Sequence, residues 1–156
     1  MPESSVPEPN VPGSGQRRFE DVAVGDRLPG LTLPLPVHRL VMAAGAGREF
    51  TATHHNDAYA RANGAPSMYA SAILLQGMWE RALRDYIGLE GTIQAIRNFR
   101  MARFTPAGAL VRVEGGVVAK ERRAGRAVVE IELRTTADGV LTVGPGLAEV
   151  TLPERP

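Results

Sequence analysis

Glu49 and His54 stand five residues apart in the stretch REFTATHHNDAYARANGAPSMYASAILLQGMWERAL, Arg48–Leu83. A carboxylate and an imidazole can take a proton from water and deliver one to carbon, the work of a general acid–base pair. The chain has three histidines, His38, His54 and His55, so few positions could keep a base that titrates near neutral pH. A spacing of five does not put two side chains on one helical face. The pair can meet only where irregular backbone turns them together. From spacing alone, an exposed glutamate and a loop histidine is the simpler reading.

Other chemistry finds less support. His54, His55 and Asp57 could begin a metal shell, but adjacent histidines in extended backbone point to opposite sides and no further His or Cys lies nearby. No metal is therefore expected, and His55 reads as a structural loop residue. His38, close to Pro36, reads as solvated or capping. There is no G-x-S-x-G, no phosphate loop and no glycine-rich fingerprint after a strand. The absence of cysteine excludes disulfides, thiol nucleophiles and Cys-ligated zinc, and it fits a reducing compartment.

The elements that must position the pair follow from periodicity. Val37, Leu40, Val41 and Ala44 have helical spacing, so Val37–Ala46 is predicted to be a short helix stopped by Gly45 and Gly47. Asn56-Asp57 is the expected N-cap of a turn or two of helix, Ala58–Ala62, with Gly64 left-handed behind it and Pro66 blocking continuation. One long helix is predicted from Ala70 to Tyr86. Its start (Ala70, Ala72, Ile73, Leu74, Leu75) is apolar nearly all round, and a helix dry on every side must be wrapped by something.

Asp26–Pro36 alternates leucines with prolines and small residues, the pattern of an edge strand. Everything after Gly91 reads as strands. Val129, Ile131 and Leu133 alternate with Glu130 and Glu132, the signature of a sheet with one wet face. Ala124-Gly125 and Asp138-Gly139 are hairpin signals, while Gly115-Gly116 and Gly144-Pro145-Gly146 suggest bulges or bends. One strand, helices, then about four antiparallel strands is an α+β pattern.

Residues 1–16 hold four prolines, three serines and two glycines, too few packing groups to offset their ordering entropy, and are expected to be a disordered tail. Residues 17–153 would be one domain and 154–156 a short tail. At 156 residues and 44% hydrophobic, the chain can bury one core. A net charge of +1 gives no global pull toward nucleic acid or an acidic membrane. No apolar run approaches the ~18 residues of a membrane span. The N-terminus lacks a signal-like apolar core, so a cytoplasmic location is expected.

The pattern acid–Phe–x–x–x–His, followed by polar residues and a Gly/Pro turn opening an apolar helix, resembles the MaoC-like hydratases/dehydratases. The segments FEDVAVGD (Phe19–Asp26) and FTPAGALVRVEG (Phe104–Gly115) look like two further landmarks of that family, and the likeness spans residues 19–152. The His54-His55 doublet, with Ser71-Ala72 where the family has a His-Gly step, looks most like the small subunit of heteromeric steroid side-chain enoyl-CoA hydratases.

The resemblance implies a hot-dog fold, an antiparallel sheet wrapped around one long central helix. It implies addition of water to a trans-2-enoyl-CoA, or the reverse dehydration of a 3-hydroxyacyl-CoA, with Glu49 and His54 as acid and base. The Ala72 N–H, at the start of the long helix, would hold the thioester oxygen. Tyr69, Ser71 and Trp79 would contact substrate, although aromatic and sulfur side chains at helical spacing are more often core. Arg97 and Arg100, from the basic stretch Arg97–Arg126, would meet coenzyme A phosphates, unless that stretch is a solvated face. No cofactor is implied beyond the coenzyme A of the substrate. Partners would be a second copy or a second hot-dog subunit, possibly fused to an acyl-CoA-associated domain. The chain departs from the family in having Glu49 for the usual Asp, and Thr51 and Ala52 for the usual Asn and Pro. Two rival functions remain: a non-catalytic subunit shaping the acyl tunnel of an active partner, and a hot-dog thioesterase.

Overall fold

The structure, a computed structural model, describes residues 15–156. Most of the expected N-terminal tail lies outside the described residues. Gln16, assigned to that tail, is anchored: its amide N–H donates to the Ile87 carbonyl and its Oε1 accepts from Glu90 N–H, both at 2.8 Å.

A five-stranded, wholly antiparallel sheet is built from β1 (Leu31–Pro34), β2 (Thr92–Arg97), β3 (Leu110–Arg123), β4 (Arg126–Ala137) and β5 (Val140–Thr151), in the order β1-β3-β4-β5-β2. Helices α1 (Val37–Ala46), α2 (Asp57–Ala62) and α3 (Ala72–Ile87) all lie between β1 and β2 in the chain. The predicted first strand proves shorter than Asp26–Pro36. Residues 25–28 also bond to β3, through Gly25, Asp26 and Leu28, but Pro29 supplies no N–H and splits the pairing. β1 is an edge strand, as suits its proline, Pro34.

The two hairpin tips turn where expected. Ala124 and Gly125 take φ of 50° and 75°, and Asp138 and Gly139 take 49° and 82°, both residues of each pair left-handed. In β4, Val129, Ile131, Leu133 and Thr135 are buried while Glu132 and Arg134 face water. Together with Val111, Val113, Val143, Ala148 and Val150 they form the inner face of the sheet. Against it α3 lays Leu75, Met78, Trp79, Ala82, Leu83, Tyr86 and Ile87.

Trp79 sits at the centre of this contact. It is completely buried, its indole N–H donates to Thr135 Oγ1 at 2.7 Å, and Phe99 packs edge-on at 4.9 Å. Burying a side chain of that size contributes about 5 kcal/mol before ordering entropy is counted. The sheet can pass this close only over glycine. A Cβ at Gly146 would lie 2.9 Å from the indole and 2.8 Å from the carbonyls of Arg97 and Asn98.

The start of α3 departs from expectation. Leu75 is buried and Leu74 half-buried, but Ala72 is exposed and Ile73 is 60% exposed. The sheet covers only one side of the helix, so the apolar first turn is not wrapped by the described residues. Among the described residues no helix is long and apolar enough to cross a membrane.

Gly146→Ala should lower the unfolding free energy by about 1–3 kcal/mol, because backbone carbonyls on one side and a fixed indole on the other leave a methyl nowhere to go. Urea unfolding followed by Trp79 fluorescence measures it.

Candidate active site

The segment between α1 and α3 carries the expected acid and base. The end of α1 folds over Gly47, and Arg48 takes a left-handed φ of 53°, a conformation that costs a non-glycine residue about 1–2 kcal/mol. This bend lets Glu49 N–H return to the Ala44 carbonyl at 2.9 Å. A 3₁₀ turn, Ala52–His54, follows, with His54 N–H on the Thr51 carbonyl and His55 N–H on the Ala52 carbonyl, both at 3.2 Å. Asn56 then caps α2, its Oδ1 accepting from Tyr59 N–H at 3.0 Å.

His54 is half-buried and is held by the strap that leads into α3, residues 67–70. Its Nδ1 lies 2.9 Å from the Tyr69 carbonyl. A carbonyl can only accept, so Nδ1 carries the proton and Nε2 presents its lone pair. That is the tautomer a general base needs. The ring also packs edge-on against Tyr69 at 5.1 Å, and Tyr69 in turn leans on Phe104 at 4.6 Å. His55, by contrast, is exposed and approaches the Phe50 carbonyl only at 3.5 Å, a poor hydrogen bond.

Glu49 is half-buried beside this turn. Its carboxylate makes no hydrogen bond or ion pair among the described residues, and it turns back toward Gly47, where an added Cβ would lie 3.8 Å from Oε2. Glu49 and His54 therefore share one short turn without bonding to each other. The irregular backbone demanded by their spacing is present.

The strap is pinned on both sides. Tyr69 N–H donates to the Thr53 carbonyl at 3.3 Å, Ala70 N–H to the Thr105 carbonyl at 2.9 Å, and Ala107 N–H to the Met68 carbonyl at 2.9 Å. Met68 N–H donates to Asp57 Oδ1 at 3.0 Å, and the other Asp57 oxygen accepts from Arg61 Nε at 2.7 Å. The Arg61 hydrogen bond first, then the Met68 N–H, hold the Asp57 carboxyl below the usual carboxylate range.

The strap delivers the chain to Ser71, the N-cap of α3. Ser71 is 4% exposed and its Oγ accepts from Leu74 N–H at 3.2 Å, so this hydroxyl caps the helix. The N–H of Ala72, the first helical residue, has no partner among the described residues, and the residue is exposed. It is a donor at the positive end of a helix, suited to an oxyanion.

The other expected contacts divide. Trp79 is core with no face open to a substrate, which corrects its assignment; volume and the Thr135 acceptor decided that. Arg97 is ion-paired with Glu149 at 3.2 Å, and Arg123 reaches the same carboxylate at 2.9 Å. Although burial pushes Glu149 up, these two guanidinium groups hold its carboxyl below the usual range. Lys120 donates to the Val22 carbonyl, and Arg122 pairs with Glu20 and Glu154, so these two cations tie β3 to the segments before β1 and after β5. Arg100 and Arg103, exposed on the segment between β2 and β3, have no side-chain partner among the described residues. Among the described residues no three His, Cys, Asp or Glu side chains cluster as a metal shell.

Two features escaped the sequence reading. The Tyr69 carbonyl, not only its ring, serves His54, and Asp57 holds the strap. A carbonyl leaves no trace in residue identity, while Asp57 was visible only as a helix-start acid.

With this geometry in hand, comparison with known proteins defines the class. No protein-family profile matches the chain, and no curated protein matches its sequence. Solved structures do match. A chain of the ChsH1–ChsH2 complex from Mycobacterium tuberculosis is 23% identical with a TM-score of 0.75, over 83% of this chain and 98% of that one. The unliganded R-hydratase PhaJ1 from Pseudomonas aeruginosa is 21% identical with a TM-score of 0.78, over 88% of this chain and 86% of that one. A MaoC-like dehydratase from Rhodospirillum rubrum is 23% identical with a TM-score of 0.75, over 90% and 99%. The protein is an α+β hot-dog protein. Its fold, a curled antiparallel sheet on a long helix, is that of the MaoC-like dehydratases and R-hydratases.

The lowered Asp57 carboxyl makes an acid-stability prediction. Its contribution is complete above the ordinary Asp range near pH ~3.9 and fades as pH falls through the lower folded value. Wild type should therefore lose its stability advantage over Asp57→Asn in strong acid, and a carboxyl NMR titration should place the Asp57 midpoint below that of an ordinary Asp.

Proposed function

We propose that the chain is an enoyl-CoA hydratase, or in reverse a 3-hydroxyacyl-CoA dehydratase, acting on a trans-2-enoyl thioester. The observation that carries this reading is His54, fixed by the Tyr69 carbonyl with Nε2 free, beside the unpartnered Glu49 and the open start of α3. The fold shared with R-hydratases supports it. His54 Nε2 takes a proton from a water oriented by Glu49, the water oxygen bonds to Cβ, and the π electrons move to an enolate whose oxygen accepts from Ala72 N–H. The proton is then returned to Cα, so that H and OH are both added and nothing is left over. Arg100 is the remaining candidate of the two for the phosphates of coenzyme A. No further cofactor enters this chemistry. A cytoplasmic setting, where acyl-CoA substrates occur, suits it.

A second subunit belongs to this reading. β1 is four residues long and ends in proline, whereas the opposite edge, β2, has six residues, no proline and no lysine, and presents unpaired backbone groups. Such an edge is a pairing surface. The uncovered Ile73 and the 80% exposed Phe50, next to Glu49, also call for a cover. The partner is a second copy or another hot-dog subunit; the heteromeric ChsH1–ChsH2 complex supports the latter, and a bulky acyl group such as a steroid side chain would then be the substrate. The second reading, a non-catalytic subunit of such a heteromer, is favoured by one observation: Glu49 turns toward Gly47 and makes no bond to His54.

Loss of enoyl absorbance with a short and a bulky enoyl-CoA tests the proposal, with sedimentation of the same samples to count subunits of 16.7 kDa. His54→Ala and Glu49→Gln should each lower kcat/KM by about 100-fold or more. Activity that survives both, or that depends only on residues of a co-purifying subunit, establishes the non-catalytic reading instead. Release of free coenzyme A from saturated acyl-CoA would mark a thioesterase.

A further inference from the structure

We propose that Asp57 is a positioning residue that sets the tautomer of His54 through the strap before α3. The role rests on His54 being the base, but its structural half does not depend on any activity.

Five polar groups of Met68, Tyr69 and Ala70 have partners. Three of them bond to other backbone: Met68 C=O to Ala107, Tyr69 N–H to Thr53 and Ala70 N–H to Thr105. The fourth, Tyr69 C=O, is the contact to His54 itself. The fifth, Met68 N–H, goes to the Asp57 carboxylate at 3.0 Å, so apart from His54 itself Asp57 is the ionisable side chain that reaches into the strap from another element. Asp57 opens α2 only three residues after His54, so the same short segment carries the imidazole and grips the strap one residue before Tyr69.

The consequence follows from peptide geometry. Met68 N and Tyr69 O are separated by few rotatable bonds, so a strap released at Met68 can turn the Tyr69 carbonyl away from Nδ1. Whichever ring nitrogen has the better hydrogen-bond acceptor keeps the proton. With the carbonyl gone, the Nε2–H form becomes accessible, and that form carries its lone pair on Nδ1, leaving none at Nε2 to offer water. The grip is also rigid: Arg61 Nε holds the second Asp57 oxygen at 2.7 Å, and the Asn56 cap fixes the turn beneath it. A charge-assisted bond of this kind is stronger than a neutral one.

The experiment compares wild type, Asp57→Ala, Asp57→Asn and Arg61→Ala. The ¹⁵N spectrum of the imidazoles reads the His54 tautomer without substrate, and enoyl-CoA hydration reads kcat and KM. Asp57→Ala should show a mixture of His54 tautomers and a kcat lowered about 10- to 100-fold, with KM changed less than about threefold. Asp57→Asn, which keeps an oxygen for Met68 N–H, should retain the Nδ1–H form and most of the rate. Arg61→Ala frees the second Asp57 oxygen but leaves the bond to Met68 N–H, so it should keep the Nδ1–H form and lower kcat less than Asp57→Ala does. The proposal is overturned if Asp57→Ala keeps the pure Nδ1–H tautomer and the wild-type kcat, or if Asp57→Asn is as damaged as Asp57→Ala. Should Asp57→Ala not fold, hydrogen exchange decides: slow exchange of Met68 N–H in wild type and Asp57→Asn supports the grip, and exchange as fast as an exposed amide overturns it. A wild type with no hydratase activity refutes the enzymatic reading, while the imidazole spectra still decide the role of Asp57.

Discussion

The close passage of the sheet over Trp79 is the contact on which the rest of the molecule depends. A sheet of long strands curls around a helix only if its inner face can approach the helix axis, and the indole is the bulkiest group in the way. Gly146 removes the obstacle, Thr135 satisfies the buried indole N–H, and Phe99 closes the edge. With α3 fixed in depth and rotation, its first turn must emerge at one end of the sheet. That is where the strap, the 3₁₀ turn and the β2–β3 segment meet. A small displacement of α3 would move Ala72 and the strap together, so the core contact and the site geometry are one constraint.

The site itself is built almost wholly from backbone. His54 gains its tautomer from a carbonyl, the candidate oxyanion donor is an amide, and the strap between them is tied to Thr53, Thr105 and Ala107 through main-chain bonds. Backbone groups hold their positions without rotamer entropy, which suits a task that tolerates little displacement. It also explains how Ser71-Ala72 can stand where a His-Gly step is usual. The Ser71 hydroxyl caps the helix, and an exposed Ala72 at the first helical position presents the same N–H that glycine would.

The charges tell a different story from their density in the sequence. Eight cations between Arg97 and Arg126 suggest a polyanion site, yet four of them are answered within the chain. Arg123 gathers Glu121, Glu130 and Glu149, Arg97 shares Glu149, Arg122 takes Glu20 and Glu154, and Lys120 lies on the Phe19 ring as well as on a carbonyl. Some of these acids are near in sequence, as Glu121 and Glu130 are to Arg123, but Glu149 is brought alongside Arg97 and Arg123 by antiparallel pairing. Among the described residues Arg100, Arg103, Arg112 and Arg126 have no such partner, and of these Arg100 and Arg103 sit where the chain leaves the ladder between β2 and β3.

Local rules in the sequence determined the elements. Helical spacing placed Val37–Ala46, Asn56 and Gly64 bounded the short helix, alternation marked β4, and paired left-handed residues marked both hairpins, because each depends on neighbours within a few positions. The hot-dog architecture was legible too, through motif order. What only the tertiary structure decided is who meets whom across long separations. Trp79 went to the core because its acceptor lies on β4, 56 residues away. Arg97 went to an ion pair because β5 runs beside β2. The apolar start of α3 stayed open because a single sheet can cover just one side of a helix. His54 was assigned its proton by the carbonyl of Tyr69, and a carbonyl, being common to every residue, is the one functional group that a sequence cannot distinguish.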